Sequence, residues 1–339
     1  MRFQELSGHD TIKRSLLQAI SQDRIGNAYI FEGASGVGKS LCAKIFAQSL
    51  VCQGTDVPCG ECDACRQAES GILPDIIYLK KAKNENSFSI DDVREQIIAE
   101  AYIKPRVAKR KVFVIDSADD LNDASQNALL KVLEEPPSYV TFIICVTAKE
   151  KLLSTVLSRS QVVTFFPLSE ETITEHLLSL GASKDAAENF ARLSQGSLGM
   201  AKELLENPER AAKIKKTTDT FMALSKGAIK VREAVEFLTE EKENISEIVN
   251  YALTFLRDCV MVKTGLEVCV VFVDRLSDIR VFTENIPKAR LISAFDKLCG
   301  LTARLNQNLN FNATVSETVV RIWEDFHDKG SGHKIQARR

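Results

Sequence analysis

Histidine is scarce in this chain: His9, His176, His327 and His333 are the only four among 339 residues, and they stand far apart in sequence. They form no cluster, which argues against acid–base chemistry built on paired histidines. A strong charge of one sign is missing too. The 44 basic and 46 acidic residues leave a net charge of −2, which gives no sign of a nucleic-acid-coating protein and leaves room only for a local basic face. No apolar run approaches the roughly 20 residues of a membrane span, and the opening stretch MRFQELSGHD lacks the apolar core of a signal peptide. These absences predict a cytoplasmic address. Internal repeats and low-complexity tracts are absent as well.

What is present is enough chain for two or three domains with substantial cores. Its 45% hydrophobic and 27% charged content is that of an ordinary globular protein. Up to about residue 167, short apolar runs alternate with amphipathic stretches. The runs are AYIFE (28–32), IIYL (76–79), VFVI (112–115), FIICV (142–146) and VVTFF (162–166). They are nearly all apolar rather than alternating, the pattern of parallel strands covered on both faces, so the first half reads as an α/β domain. Ser89 and Asp92 look like the capped start of a helix. The helix SQNALLKVLEE is expected to stop at Pro136–Pro137. From Leu168 onward the signals are helical, with a break at NPER (207–210). The run VCVVFV (268–273) reads as a buried segment of that helical region, and the tail from 331 has little to bury.

GASGVGKS, Gly33–Ser40, follows a strand and opens a helix. That is a complete P-loop: Gly33, Gly36 and Gly38 let backbone N–H groups close around phosphates, and the helix N-terminus favours their charge. Lys39 is expected to reach the β/γ-phosphates and Ser40 to ligate magnesium. Asp116, at the end of VFVI, stands where the second magnesium-binding acid belongs. The residue after it is Ser117, which cannot orient or activate a water as a glutamate would. The cradle therefore supports ATP and magnesium binding better than hydrolysis.

Nine cysteines divide into a bunch and a scatter. Cys52, Cys59, Cys62 and Cys65 can surround one tetrahedral zinc with no open position, a structural site. The alternative is an iron–sulfur cluster, since ferredoxins also use two-residue spacings; the longer first gap and the lack of a redox partner motif favour zinc. The other five, Cys42, Cys145, Cys259, Cys269 and Cys299, read as small buried side chains.

Four blocks, in order, carry a resemblance that spans nearly the whole chain: NAYIFEGASGVGKS, PCGECDACRQAESGILPDIIYL, KRKVFVIDSADDLNDASQNALLKVLEEPPSYVTFI and LLSTVLSRSQVVTF. Together they resemble the bacterial clamp-loader AAA+ subunits of DNA polymerase III. The resemblance implies an AAA+ P-loop core (1–167) with the zinc insert at 52–65, a small helical lid (168–208) and an all-α collar (209–330). It also implies a hetero-pentameric ring with gamma/tau and delta subunits, a sliding clamp as partner, and primed DNA met indirectly. Thr147 fits the family's first sensor position. LSRS (157–160) is similar to its Ser-Arg-Cys motif, with Ser160 for cysteine, so Arg159 would point into a neighbour's ATP site and stabilise charge on the transferred phosphoryl group. Motor subunits of the family carry a glutamate after the strand-end aspartate and an arginine in a GSLR context. Here the residues are Ser117 and Gly199, which places the chain with the non-hydrolysing branch and leaves an ATP-hydrolysing motor as the alternative. A small-molecule P-loop kinase is disfavoured, because nothing downstream resembles an acceptor site. The patch KPRVAKRK (104–111) suits either phosphates or solvent.

Overall fold

The computed structural model describes residues 1–82, 87–305 and 310–327. They form two compact units, one of Met1–Ala182 with Ser194–Ala201, the other of Ser183–Leu193 with the residues from Lys202 onward. In the first unit five strands, β1 (Ala28–Glu32), β2 (Ile76–Tyr78), β3 (Lys111–Ile115), β4 (Val140–Val146) and β5 (Gln161–Thr164), pair in parallel in the order β2-β3-β4-β1-β5. Helix α1 (Asp10–Ser21) precedes β1, and the crossovers hold α2 (Lys39–Val51), α3 (Asp63–Glu69), α4 (Ile90–Val93), α5 (Ala99–Ala101), α6 (Asp123–Glu134) and α7 (Ser154–Leu157). A π-helical stretch, Arg94–Ile98, joins α4 to α5, and α8 (Glu170–Ser179) follows the last strand.

Side chains alternate across a strand, so an apolar strand feeds two cores. Tyr29, Phe31, Val112, Val114, Ile143 and Cys145 pack with Leu16, Cys42, Ile45 and Phe46. Ala28, Ile30, Phe113, Ile115, Phe142 and Ile144 pack with Val93, Ile97, Leu129 and Val132. This explains why β1, β3 and β4 lack polar alternation. The expected double coverage fails for the last strand. It ends at Thr164, it is an edge strand, and Val162 and Phe166 are 42% and 70% exposed.

Local signals held. Ser89 Oγ accepts from Asp92 N, as a cap should, and α6 stops at Glu134, two residues before the prolines. The break at NPER is real: Asn207 caps a helix that begins at Pro208.

The second unit is helical, with α9 (Lys184–Leu193), the end of α10 (Leu198–Glu206), α11 (Pro208–Ala223), α12 (Ile229–Glu240), α13 (Ile245–Lys263), α14 (Leu276–Thr283), α15 (Lys288–Leu305) and α16 (Phe311–His327). The run 268–273 holds no strand: its ends fall in two short 3-10 turns, Glu267–Cys269 and Val273–Arg275, and the residues between them are irregular. Buried Asp258 of α13 accepts from Val271 N and Phe272 N, both at 2.8 Å, and holds Val270, Val271 and Phe272 inside while Val268 stays exposed. Two scattered cysteines depart from expectation: Cys42, Cys145 and Cys259 are buried, whereas Cys269 and Cys299 are exposed. The tail from 331 lies outside the described residues. No described helix is long and apolar enough to cross a membrane.

Candidate functional site

The P-loop sits where β1 hands over to α2, with Gly38 at φ 108° as the cap. Lys39 is 8% exposed, and its Nζ donates to the carbonyls of Gly33 at 2.6 Å and Ala34 at 2.7 Å. Burial pulls its pKa below the usual lysine value, an effect that Cys145, Asp119 and Asp116 partly oppose. A dehydrated ammonium whose hydrogen-bond acceptors are neutral carbonyls is a ready partner for an anion. Ser40 Oγ donates to Asp116 Oδ1. The two residues expected to flank magnesium, 76 positions apart in sequence, are thus brought together.

Thr147 is positioned by Asp119, which with Asp120 reads in the sequence as the polar start of a loop. Asp119 accepts from Thr147 N at 3.0 and 3.1 Å, from Thr147 Oγ1 at 2.5 Å, and pairs with Lys151 at 2.9 Å. Burial alone would raise its pKa, but the Thr147 and Lys151 bonds outweigh it and hold the carboxyl below the usual range. Asp120 is likewise engaged, by Lys81 at 2.6 Å. Both acids just beyond Ser117 are therefore committed to structure.

The GSLG turn lies directly on the phosphate loop. Gly199 N donates to Gly36 O at 2.9 Å, and a Cβ on Gly199 would stand 2.9 Å from Gly36 Cα. Gly36 itself has φ 75°, and a Cβ there would collide with Ser197 Oγ. The contact needs glycine on both sides.

Arg159 is elsewhere in the unit, just past α7. Its Nη1 donates to Thr155 O at 2.9 Å and Ser158 Oγ at 3.2 Å, and its Nη2 pairs with Glu134 at 2.8 Å. Glu134, the last residue of α6, gave no sign of this role in sequence.

The four cysteines of the bunch converge, their sulfurs within 4.8 Å of one another. Backbone N–H groups point at three of them: Gly54 and Cys59 at Cys52 Sγ, Cys62 at Cys59 Sγ, and Cys65 at Cys62 Sγ, at 3.3–3.4 Å. Such bonds favour thiolates. Those from Glu61 and Cys62 bring Cys59 down to about 6, while burial lifts Cys65 to about 12. An all-sulfur, closed set of this size can hold one metal ion.

Two family models match, "DNA polymerase III, delta subunit" over residues 8–169 and "DNA polymerase III, delta subunit, C terminal" over residues 208–316. The delta-prime subunit of Bacillus subtilis DNA polymerase III is 26% identical over 322 residues, covering 92% of this chain and 95% of that protein. The tau subunit of the same organism is 29% identical over 326 residues, but they cover 88% of this chain and 57% of tau. Haemophilus influenzae tau/gamma is 35% identical over 58% of this chain and 29% of its own length. The chain thus spans about three fifths or less of these two tau relatives and nearly all of delta-prime. With its P-loop core, four-cysteine insert and helical second unit, the chain belongs to the clamp-loader subunit family of DNA polymerase III that comprises delta-prime, gamma and tau.

Proposed function

We propose that this chain is the delta-prime-type subunit of a DNA polymerase III clamp loader. It binds ATP without turning it over, and it lends Arg159 to the ATP site of an adjacent gamma/tau motor in a ring that also holds delta. In this reading residues 1–167 are the ATPase-fold core, 168–208 a lid and 209–330 a ring-forming collar. The ring opens a sliding clamp and places it on primed DNA.

The observation that carries the reading is the state of the phosphate cradle. Lys39, Ser40 and Asp116 are in place, yet the strand-end acid is followed by Ser117, and the nearby carboxylates of Asp119 and Asp120 are tied to Thr147, Lys151 and Lys81. A nucleotide with magnesium fits the residues present: Lys39 offers a desolvated cation, and Ser40 and Asp116 offer two hard oxygen ligands side by side. Bound magnesium would neutralise phosphate charge. The residues themselves bind and orient; none is placed to take a proton from water. Arg159, by contrast, sits on a short exposed turn, held by Glu134 and Thr155, and can reach another chain. Zinc is the metal we assign to Cys52, Cys59, Cys62 and Cys65, as a staple for the excursion between α2 and β2.

The motor alternative is favoured by the complete P-loop and by the 29% identity to tau over 88% of the chain. The two readings separate in a reconstituted loader, by its DNA- and clamp-stimulated ATPase rate. The proposal expects Arg159→Ala to slow turnover while Lys39→Ala leaves it nearly unchanged. An unaltered rate with Arg159→Ala would overturn the finger. An equal loss with Lys39→Ala, together with hydrolysis assigned to this pocket, would establish the motor.

A further inference from the structure

The basic stretch 104–111 holds five cations and no acid, and the structure divides those cations into two kinds. Arg110 pairs with Asp23 at 3.2 Å. Lys111 is 2% exposed, with its Nζ 2.9 Å from Glu100 Oε2. These two are internal supports. Lys104, Arg106 and Lys109 are exposed and form no ion pair with another described residue. Beside them Tyr102, Ile103 and Val107 are 51%, 45% and 39% exposed.

The turn that carries these side chains is fixed with unusual thoroughness. Asp75 is fully buried; its Oδ1 accepts from Arg106 N and its Oδ2 from Val107 N and Ala108 N, each at 2.7 Å. Gln53 Nε2 donates to Val107 O at 3.1 Å, and Tyr139 Oη to Tyr102 O at 3.0 Å. Burying a carboxylate against backbone N–H groups alone is costly unless every bond is made. A merely solvated cationic loop has no need of it. What this expense secures is one rigid shape that presents three free cations and an aromatic ring to solvent.

We propose that the turn Tyr102–Lys109 is a nucleic-acid contact, in which Lys104, Arg106 and Lys109 bind backbone phosphates and Tyr102 stacks on an unpaired base. Phosphates suit this surface better than an acidic protein does, because two of the three free cations are lysines, which protein interfaces disfavour. A cationic track with an interleaved aromatic ring is the pattern of single-strand binding. The site is distinct from the phosphate cradle. The turn precedes the first residue of β3 and Asp116 follows its last, so the two lie at opposite ends of a strand about 16 Å long. Nothing in the proposal depends on a partner subunit or on a metal.

The test uses the full chain and fluorescence anisotropy with a labelled single-stranded oligonucleotide and its duplex, titrated across a range of KCl. Three phosphate contacts contribute a slope of about 2 to the fall of log affinity with log salt on a single strand. K104Q/R106Q/K109Q should remove that slope, equivalent to a roughly twentyfold smaller loss of affinity over a fourfold rise in salt. The equally neutralised K184Q/R232Q/K288Q, at exposed positions of the other unit, should leave the slope alone. Tyr102→Ala should weaken single-strand binding by about tenfold and duplex binding far less. The proposal is overturned if the wild-type chain binds neither oligonucleotide at low salt, or if both triple variants behave alike. It is equally overturned if the loop variant loses a loader subunit while keeping its DNA affinity, which would mark a protein-docking surface.

Discussion

Removing the Asp75 carboxylate should cost the first unit about 3–5 kcal/mol, a large share of the roughly 5–15 kcal/mol that holds a domain together. The figure follows from three N–H bonds of 2.7 Å to a fully buried carboxylate. Hydrogen bonds to a charged group contribute about 1.5–3 kcal/mol each. Their plain sum is an upper bound, because the amides of Arg106 and Val107 belong to exposed residues and can turn to water once Asp75→Ala opens the site. Asp75→Asn should be milder, at about 2 kcal/mol. Its amide oxygen can replace Oδ2 and keep Val107 N and Ala108 N, but its NH2 then meets the Arg106 N–H, donor against donor. The backbone carbonyl of Asp75, which accepts from Val112 N at 2.8 Å, is untouched by either change. Tryptophan fluorescence is the wrong assay, since the single tryptophan, Trp323, lies in the other unit. Amide hydrogen exchange read on peptides of β2 and β3 reports the first unit directly. A loss under about 1 kcal/mol for Asp75→Ala, or equal losses for the two variants, would refute the reasoning.

Other consequences are as direct. Cys62→Ser breaks the closed sulfur set, so metal content should fall well below one ion per chain with a loss of stability; stoichiometric metal in that variant, by elemental analysis, would sink the four-thiolate assignment. His9 Nε2 donates to Val37 O of the phosphate loop at 2.8 Å, and burial lowers its pKa from 6.5 despite that bond. Because the folded value lies below the unfolded one, the stability His9 contributes is present above about 6.5 and is lost as pH falls through the folded value. The first unit should therefore weaken as pH falls below about 6.5, and His9→Gln, whose amide can still donate to Val37 O, should flatten that decline. An unchanged pH profile in His9→Gln would assign the decline to other groups.

The sequence made visible whatever was local. The first four strand runs, the Ser89 cap, the proline stop after α6, the P-loop and the cysteine spacing each depend on a few consecutive residues, and each is found where it was read. What escaped reading depends on contacts between distant positions. β5 looked as apolar as β4, but only the strand order makes it an edge. Lys111 looked like one more surface cation until its bond to Glu100 buried it. Asp119 looked like a loop residue because its partner Thr147 lies 28 positions away. Asp75 carried no signal at all, as a lone acid before a strand whose three partners come 31 to 33 residues later.

The same contrast changes how the missing arginine at Gly199 is understood. From the sequence, GSLG is a lost charge, a deletion that one substitution would repair. In the structure the position has no room for a side chain: Gly199 N–H is on Gly36 O, and a Cβ would press on Gly36 Cα at 2.9 Å and on Gly36 O at 3.4 Å. Backbone meets backbone there, so no rotamer relieves the contact. Installing an arginine at 199 requires the backbone of the turn or of the phosphate loop to shift, and Gly36, at φ 75° against Ser197, is fitted to the turn from the other side. Glycine at 199 is thus part of how this loop is packed. On the proposed reading, the loss of the sensor and the survival of the cradle are one arrangement: the turn that has shed its arginine now braces the loop that keeps Lys39, Ser40 and Asp116 together.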